Sequence, residues 1–260
     1  MFSKLGLQLY SARDCMKDEK STDETLEKLV SFGYTQVQTA GQESVEFFNL
    51  TKKHGIEIVG THTDTNRALS DPDATMKIHE MLGTTNIGIA AMPFEARKDY
   101  DSVMRFIEQF NAAAAIYGKH GFKLTYHNHA LEFVKVKDNL TMMDLLYDNL
   151  DKDNSSFVLD TCWVAYAGAD VRYWIEKLAG RLDILHLKDI KSNFIDEGYT
   201  WTSPQLCEIG EGHIWWDGVI ESAEKAGVKY YVVEQDKFWM DNDPLKSLEV
   251  SAKYLKRYMK

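Results

Sequence analysis

The sequence predicts an α/β chain folded as a single (β/α)8 barrel over residues 1–260, and three observations carry that prediction. A short apolar run followed by a longer amphipathic run recurs eight times, strand first, with no linker or low-complexity segment between repeats. Strand-then-helix order favours a parallel sheet, because parallel neighbours need a crossover connection. Eight such units in 260 residues suit a closed barrel.

The strands are expected at 5–10, 35–39, 56–62, 85–90, 122–129, 155–160, 182–188 and 230–235. The helices between them are expected at 22–32, 45–54, 73–82, 102–119, 141–150, 172–179, 216–226 and 245–258. Ser21 or Thr22 reads as the cap of the first helix, and Gly33 as its end. His54-Gly55, His120-Gly121 and Ala226-Gly227 each close a helix just before a strand, where glycine takes left-handed dihedrals without a Cβ clash. Asp71-Pro72 and Asp243-Pro244 open helices, with proline in the first turn where its missing N–H costs nothing.

Composition excludes several classes. With 44% hydrophobic and 27% charged residues, the chain reads as globular rather than disordered. Thirty basic against forty acidic residues leave a charge of −10, no footprint for a phosphate backbone, so nucleic acid is not expected as a partner. Three scattered cysteines and no C-x-x-C pair exclude a disulfide framework, a zinc ribbon and a redox pair. The longest uncharged apolar stretch, 87–94, falls far short of the roughly 20 residues that span a bilayer, so no membrane partner is expected. The first ten residues include Lys4 and no apolar signal core, which makes the cytoplasm the expected compartment. The subunit count stays open, a homo-oligomer included.

Period-two alternation assigns the inward faces. Leu124, Tyr126, Phe157, Leu159, Leu185, Leu187, Tyr231 and Val233 face the helices. That leaves Thr125, His127, His129, Val158, Asp160, Ile184, His186, Lys188, Val232 and Glu234 inward, and the same parity places Gln8, Gln36, Gln38 and His62 inside. The polar members gather at the C-terminal strand ends, where barrels of this kind carry their active sites.

Asp160, His186 and Glu234, with Glu132 just beyond strand five, form a carboxylate and imidazole set without thiolate. Such a set suits one divalent ion, Mn foremost, with Zn, Co or Mg as alternatives. An ion of this type holds a carbonyl and its neighbouring hydroxyl, while a carboxylate or histidine beside it removes the proton next to the carbonyl. Glu234, His127 and Glu132 are the catalytic candidates, and Gln8, His62, His129, Trp163 and Lys188 the substrate-binding ones. Lys188 supports a developing oxyanion or pairs with Asp189. Tyr10, Trp163, Tyr166, Phe194, Tyr199, Trp201 and Phe238 crowd the same loops, where rings stack on sugar faces, and 191–207 is long enough for a pocket wall.

The segments LGLQLYSARD at 5–14, YHNHALEF at 126–133, VLDTCWVAYAGAD at 158–170, LHLKD at 185–189, EIGEGHIWWDGVI at 208–220 and YYVVEQDKF at 230–238 resemble, in order and end to end, the sugar phosphate isomerase/epimerase-like proteins of the xylose isomerase-like barrel superfamily. That superfamily includes inosose dehydratases, ketose 3-epimerases and the barrels of the AP endonuclease 2 family. The resemblance implies a divalent metal held by Glu132, Asp160, His186 and Glu234, and a small-molecule carbohydrate substrate. Ketose epimerases carry a metal-binding glutamate on strand five, where this chain has His127, and a histidine three residues after the strand-six aspartate, where it has Trp163. Glu132 is the expected replacement, with His127 as the other candidate. The H-N-H-x-x-E-F form is similar to members that act on keto-sugars or keto-glycosides by elimination or hydrolysis, so a lyase or hydrolase stands beside the isomerase, with a non-catalytic carbohydrate-binding barrel third.

Overall fold

All eight expected strands pair side by side in the computed structural model, which describes residues 1–196 and 201–260. They are β1 (Leu5–Gln8), β2 (Tyr34–Ala40), β3 (Glu57–His62), β4 (Asn86–Ile89), β5 (Lys123–His127), β6 (Ser155–Asp160), β7 (Leu182–Leu187) and β8 (Tyr230–Val233). Their order in the sheet is β3-β2-β1-β8-β7-β6-β5-β4, every pairing parallel. A bridge from Thr63 to Ile89, with Thr63 N–H donating to the Gly88 carbonyl at 3.0 Å, joins the two ends. Glycine is required at this seam, since a Cβ on Gly88 would lie 1.8 Å from the Thr61 carbonyl oxygen.

The helices α1 (Glu19–Phe32), α2 (Val45–Lys53), α3 (Pro72–Leu82), α4 (Tyr100–Lys119), α5 (Met142–Asn149), α6 (Val171–Lys177), α7 (Trp216–Ala226) and α8 (Pro244–Leu255) follow the strands in turn. Asp18, not Ser21 or Thr22, caps α1: its carboxylate accepts from Ser21 N–H, and the helix starts one turn earlier than expected. Gly33 and Gly227 end α1 and α7 in left-handed conformation, and Asp71-Pro72 and Asp243-Pro244 open α3 and α8. The main core lies between sheet and helices, where Leu124, Tyr126, Phe157, Leu159, Leu185 and Leu187 pack outward. Inside the barrel a separate apolar layer of Val59, Val158, Ile184 and Val232 fills the bottom. Strand β3 skips Val59 in its pairing with β2, and this bulge turns both Val59 and His62 inward, a parity that strict alternation would forbid. Beyond β7 the chain makes an antiparallel hairpin of Asp189–Phe194 and Thr202–Cys207 beside the barrel mouth. Tyr199, one of the rings expected in the loops, falls outside the described residues.

Candidate metal centre

Above the valine and isoleucine layer, the last inward side chains of four neighbouring strands converge. His127 on β5, Asp160 on β6, His186 on β7 and Glu234 just after β8 each bring one ligand atom into a group whose members all lie within 4.8 Å of one another, and all four residues are buried. His127 Nε2 stands 3.6 Å from Asp160 Oδ2 and 3.8 Å from Glu234 Oε2. His186 Nδ1 stands 3.0 Å from Glu234 Oε2.

Hydrogen bonds away from the centre leave lone pairs facing it. His127 Nδ1 lies 2.9 Å from the Ala90 carbonyl, which only accepts, so this nitrogen carries the proton and Nε2 is bare. Asp160 splits its carboxylate: Oδ1 accepts from Trp163 N–H and caps the short helix Thr161–Tyr166, while Oδ2 points into the group. Among the described residues His127 Nε2 and Asp160 Oδ2, both buried, have no hydrogen-bond partner, although they are near neighbours. Two buried acceptors facing each other are costly unless a cation lies between them. Two imidazole nitrogens and two carboxylate oxygens form a donor set for a borderline divalent ion, and the residues present fit one.

Lys188 supplies the resident positive charge. It is buried, with Nζ 2.8 Å from Asp236 Oδ2, 3.1 Å from Glu234 Oε2 and 3.4 Å from Asp160 Oδ2. Burial works against each charge in this cluster, yet the opposite charges prevail. Lys188 holds Asp160 below the ordinary carboxylate range, and Lys188 with His186 holds Glu234 well below it. Glu234 and Asp160 in return raise His186 to about 9. Asp236 is pushed up, by burial first and by Glu234 second. Burial depresses His129 to about 3 and His62 well below its ordinary value, so both are neutral imidazoles at pH 7.

The pairing of Lys188 with Asp189 is not formed. Consecutive strand-end residues point to opposite sides, and Asp189 turns away to accept from Ile190, Gly210, Gly212 and Ile214 N–H and from Trp216 Nε1–H, tying the 208–214 loop to the hairpin. Glu132 does not reach the cluster either. Strand β5 stops at His127, and a turn of 3-10 helix, Ala130–Phe133, carries Glu132 back to the helix side of the barrel. There its carboxylate accepts from Tyr126 Oη–H at 2.6 Å and from His129 N–H at 2.7 Å. His127 takes the fourth position that the sequence reading gave to Glu132.

The remaining candidates divide. His62, His129, Lys188, Tyr10 and Asp236 line a cavity of about 460 Å³ together with His127 and Glu234. The Trp163 ring lies 5.6 Å from that of His129 and beneath Lys188 Nζ at 4.9 Å. Gln8 is fully buried and spends its amide on protein partners, so it stands behind the cavity wall rather than in it. Asp236 was missed as a site residue, though it shares the inward parity of Glu234 two residues before it; Gln38, placed inward without a role, has its Oε1 2.6 Å from His186 Nε2. Tyr166 lines a different cavity, under the hairpin, and Phe194 and Trp201 lie exposed on the hairpin itself. Among the described residues no helix is long and apolar enough to cross a membrane.

Residues 26–258 match the family described as xylose isomerase-like TIM barrel. An inosose dehydratase from Mesomycoplasma hyopneumoniae is 25% identical over 105 residues, 40% of this chain, and the match spans 33% of that relative's length. A crystal structure of a sugar phosphate isomerase/epimerase from Parabacteroides distasonis superposes with a TM-score of 0.81 at 23% identity, covering 98% of this chain and 94% of the other. The probable 3-DHS dehydratase involved in petrobactin synthesis from Bacillus anthracis superposes with a TM-score of 0.71 at 15% identity, covering 97% and 98%. These two likenesses are likenesses of fold.

Proposed function

Because this chain belongs to the xylose isomerase-like TIM barrel family, we propose that it is a metal-dependent enzyme of the isomerase and epimerase type, moving a proton beside the carbonyl of a small sugar or cyclitol. The observation that carries the reading is the convergence of four buried ligand atoms at the head of the barrel, two of which, His127 Nε2 and Asp160 Oδ2, lie 3.6 Å apart with no hydrogen bond among the described residues, Lys188 Nζ being 3.4 Å from the second. A divalent ion held by His127, Asp160, His186 and Glu234 would bind the carbonyl and adjacent hydroxyl and offset the charge that develops as the proton leaves. Manganese is the ion we expect first for this mixed nitrogen and oxygen set.

The chain's own groups supply the rest. Glu234, with Lys188 and His186 against it, is a stabilised anion and a weak base, which suits a ligand. Asp236 lines the same cavity, is pushed up by burial and by Glu234, and holds Lys188 Nζ at 2.8 Å; from this placement we assign it the proton, with Lys188 offsetting the charge. The neutral His129 and the unpartnered Trp163 Nε1–H stand beside Lys188, where they orient substrate hydroxyls.

A second reading, dehydration, is favoured by one feature: β5 offers an imidazole where the resemblance leads one to expect a second carboxylate. A single carboxylate base with a nearby donor aimed at a β-hydroxyl eliminates water rather than returning the proton to the other face. The partial match to inosose dehydratases supports it.

The test is a panel of ketoses, inososes and 3-keto-glycosides in deuterated water with Mn2+, read by NMR for α-deuterium and by mass for loss of water. Exchange is expected in the wild type, reduced on the order of 10²–10⁴-fold in Asp236→Asn. The proposal fails if no keto-sugar exchanges, or if Asp236→Asn and Glu234→Gln both exchange at the wild-type rate.

A further inference from the structure

A hydrogen-bond chain behind the cavity begins at a fixed donor. Tyr10 N–H donates to Gln8 Oε1 at 3.0 Å, and a backbone amide nitrogen has no other role, so the Gln8 amide can sit only one way round. Its Nε2 then faces Gln38 Oε1 and His62 Nδ1, both at 3.1 Å. An NH2 group only donates, so His62 Nδ1 accepts and the ring proton resides on Nε2. That Nε2–H is shielded from solvent and has no acceptor among the described residues. The ring lines the cavity, 4.9 Å from the ring of His127 and 5.5 Å from that of His186.

We infer that Gln8 is a positioning residue that locks His62 as a neutral Nε2–H donor to the substrate oxygen held at the four-residue cluster. A buried donor with no protein acceptor is costly, and an oxygen of bound substrate removes the deficit. A neutral imidazole donor polarises a carbonyl without giving up its proton, and being oriented in advance it needs no rearrangement as charge develops. This assignment of His62 rests on the proposed carbonyl chemistry; the tautomer itself does not.

The experiment records long-range 1H–15N correlations of protein labelled at the histidine ring nitrogens, with the His62 signals assigned by their loss in His62→Gln. The expected wild type has a bare Nδ1 and a protonated Nε2. In Gln8→Glu the new carboxylate oxygen replaces the NH2 group, and a proton is expected on Nδ1. A wild-type His62 protonated on Nδ1, or a Gln8→Glu variant with Nδ1 still bare, overturns the inference. Should Gln8→Glu fail to fold, the wild-type tautomer decides alone. With any substrate that exchanges, His62→Leu is expected to lose on the order of 10²-fold in kcat, and His62→Gln, which keeps a donor, to recover part of it. Equal losses in both sink the donor role. If no substrate exchanges, the reaction class fails while the tautomer result stands.

Discussion

Replacing His127 by alanine and Glu132 by glutamine separates the two candidates for the strand-five position. Glu132→Gln exchanges a buried carboxylate that accepts from Tyr126 Oη–H at 2.6 Å and His129 N–H at 2.7 Å for an amide of the same shape. The amide oxygen keeps the His129 N–H bond and the new NH2 must donate to Tyr126 Oη, whose own proton turns away, a cost of about 1 kcal/mol or, at this chain length, roughly 2–4 °C in Tm. The cluster is untouched, so ion affinity should stay within about threefold. His127→Ala removes one of four converging ligand atoms. Its cost in affinity should exceed the roughly 10–100-fold that the loss of an outer hydrogen-bond partner of a ligand brings. The assay is calorimetric titration of chelator-stripped protein with Mn2+, paired with thermal melts. At an ion concentration of about a hundred times Kd the linkage gain is about 2.7 kcal/mol, a rise of roughly 5–10 °C in Tm. Glu132→Gln should keep that rise from a slightly lower start; His127→Ala should lose it. An ion-dependent rise that vanishes in Glu132→Gln and persists in His127→Ala refutes the assignment.

Gly212→Ala should destabilise the loop that closes on the hairpin: its Cβ would lie 2.1 Å from Asp189 Oδ1, a carboxylate pinned by five donors, and overpacking of this kind costs about 1–3 kcal/mol. Denaturant titration reads the loss, and an unchanged midpoint counts against the pinned-loop account. Acid should weaken the fold through His79, which is buried, has Nδ1 against the Thr75 carbonyl and Nε2 against Thr61 Oγ1, and is depressed below its ordinary value by burial. The unfolded chain then binds a proton near pH 6.5 that the folded chain refuses, so this contribution is present above that pH and lost as pH falls below it, with a slope of up to about 1.4 kcal/mol per pH unit. His79→Gln should flatten the pH dependence of urea midpoints between pH 6.5 and 5; an identical slope means His79 is not depressed.

The barrel was legible because each of its parts carries a local signal. Leu185 and Leu187 outward against Ile184 and His186 inward is period two in plain view, and glycines at 33 and 227 mark helix ends by a conformation other residues avoid. The site was legible where a side chain lies on a regular strand: Asp160, His186 and Glu234 converge as their parity demands. It failed where the strand stops. Extrapolating β5 two residues past His127 carried Glu132 towards the cavity, whereas the chain turns into a 3-10 helix capped by a bond from His129 N–H to the Glu132 carboxylate. The spacing of that bond, a residue before a turn and a glutamate three later, was present in H-A-L-E as a capping pattern. For Lys188 the partner was decided by side rather than by distance along the chain, since Asp189 is adjacent in sequence and opposite in direction.

The single bridge at the β3–β4 seam divides the ring of strands into two arcs of different duty. From β5 to β8 the four strands that carry the cluster are consecutive parallel neighbours, with one register shift, between Phe157 and Val158 on β6. Gln8, Gln38 and His62 sit on β1, β2 and β3, the other arc, joined to the first by the β1–β8 ladder and, at the seam, by the Thr63 bridge, by Asn86 Nδ2–H donating to the Val59 carbonyl at 2.8 Å and by Gly88 N–H donating to Thr61 Oγ1 at 3.3 Å. Across the barrel the two arcs meet again, since Gln38 Oε1 on β2 lies 2.6 Å from His186 Nε2 on β7 and so steadies one member of the four-residue cluster. Changes at Gln8 or His62 can therefore reshape the hydrogen-bonding wall while Gln38 keeps its hold on the cluster. A barrel assembled in this way is suited to spawning relatives that share a reaction centre and differ in what they feed to it.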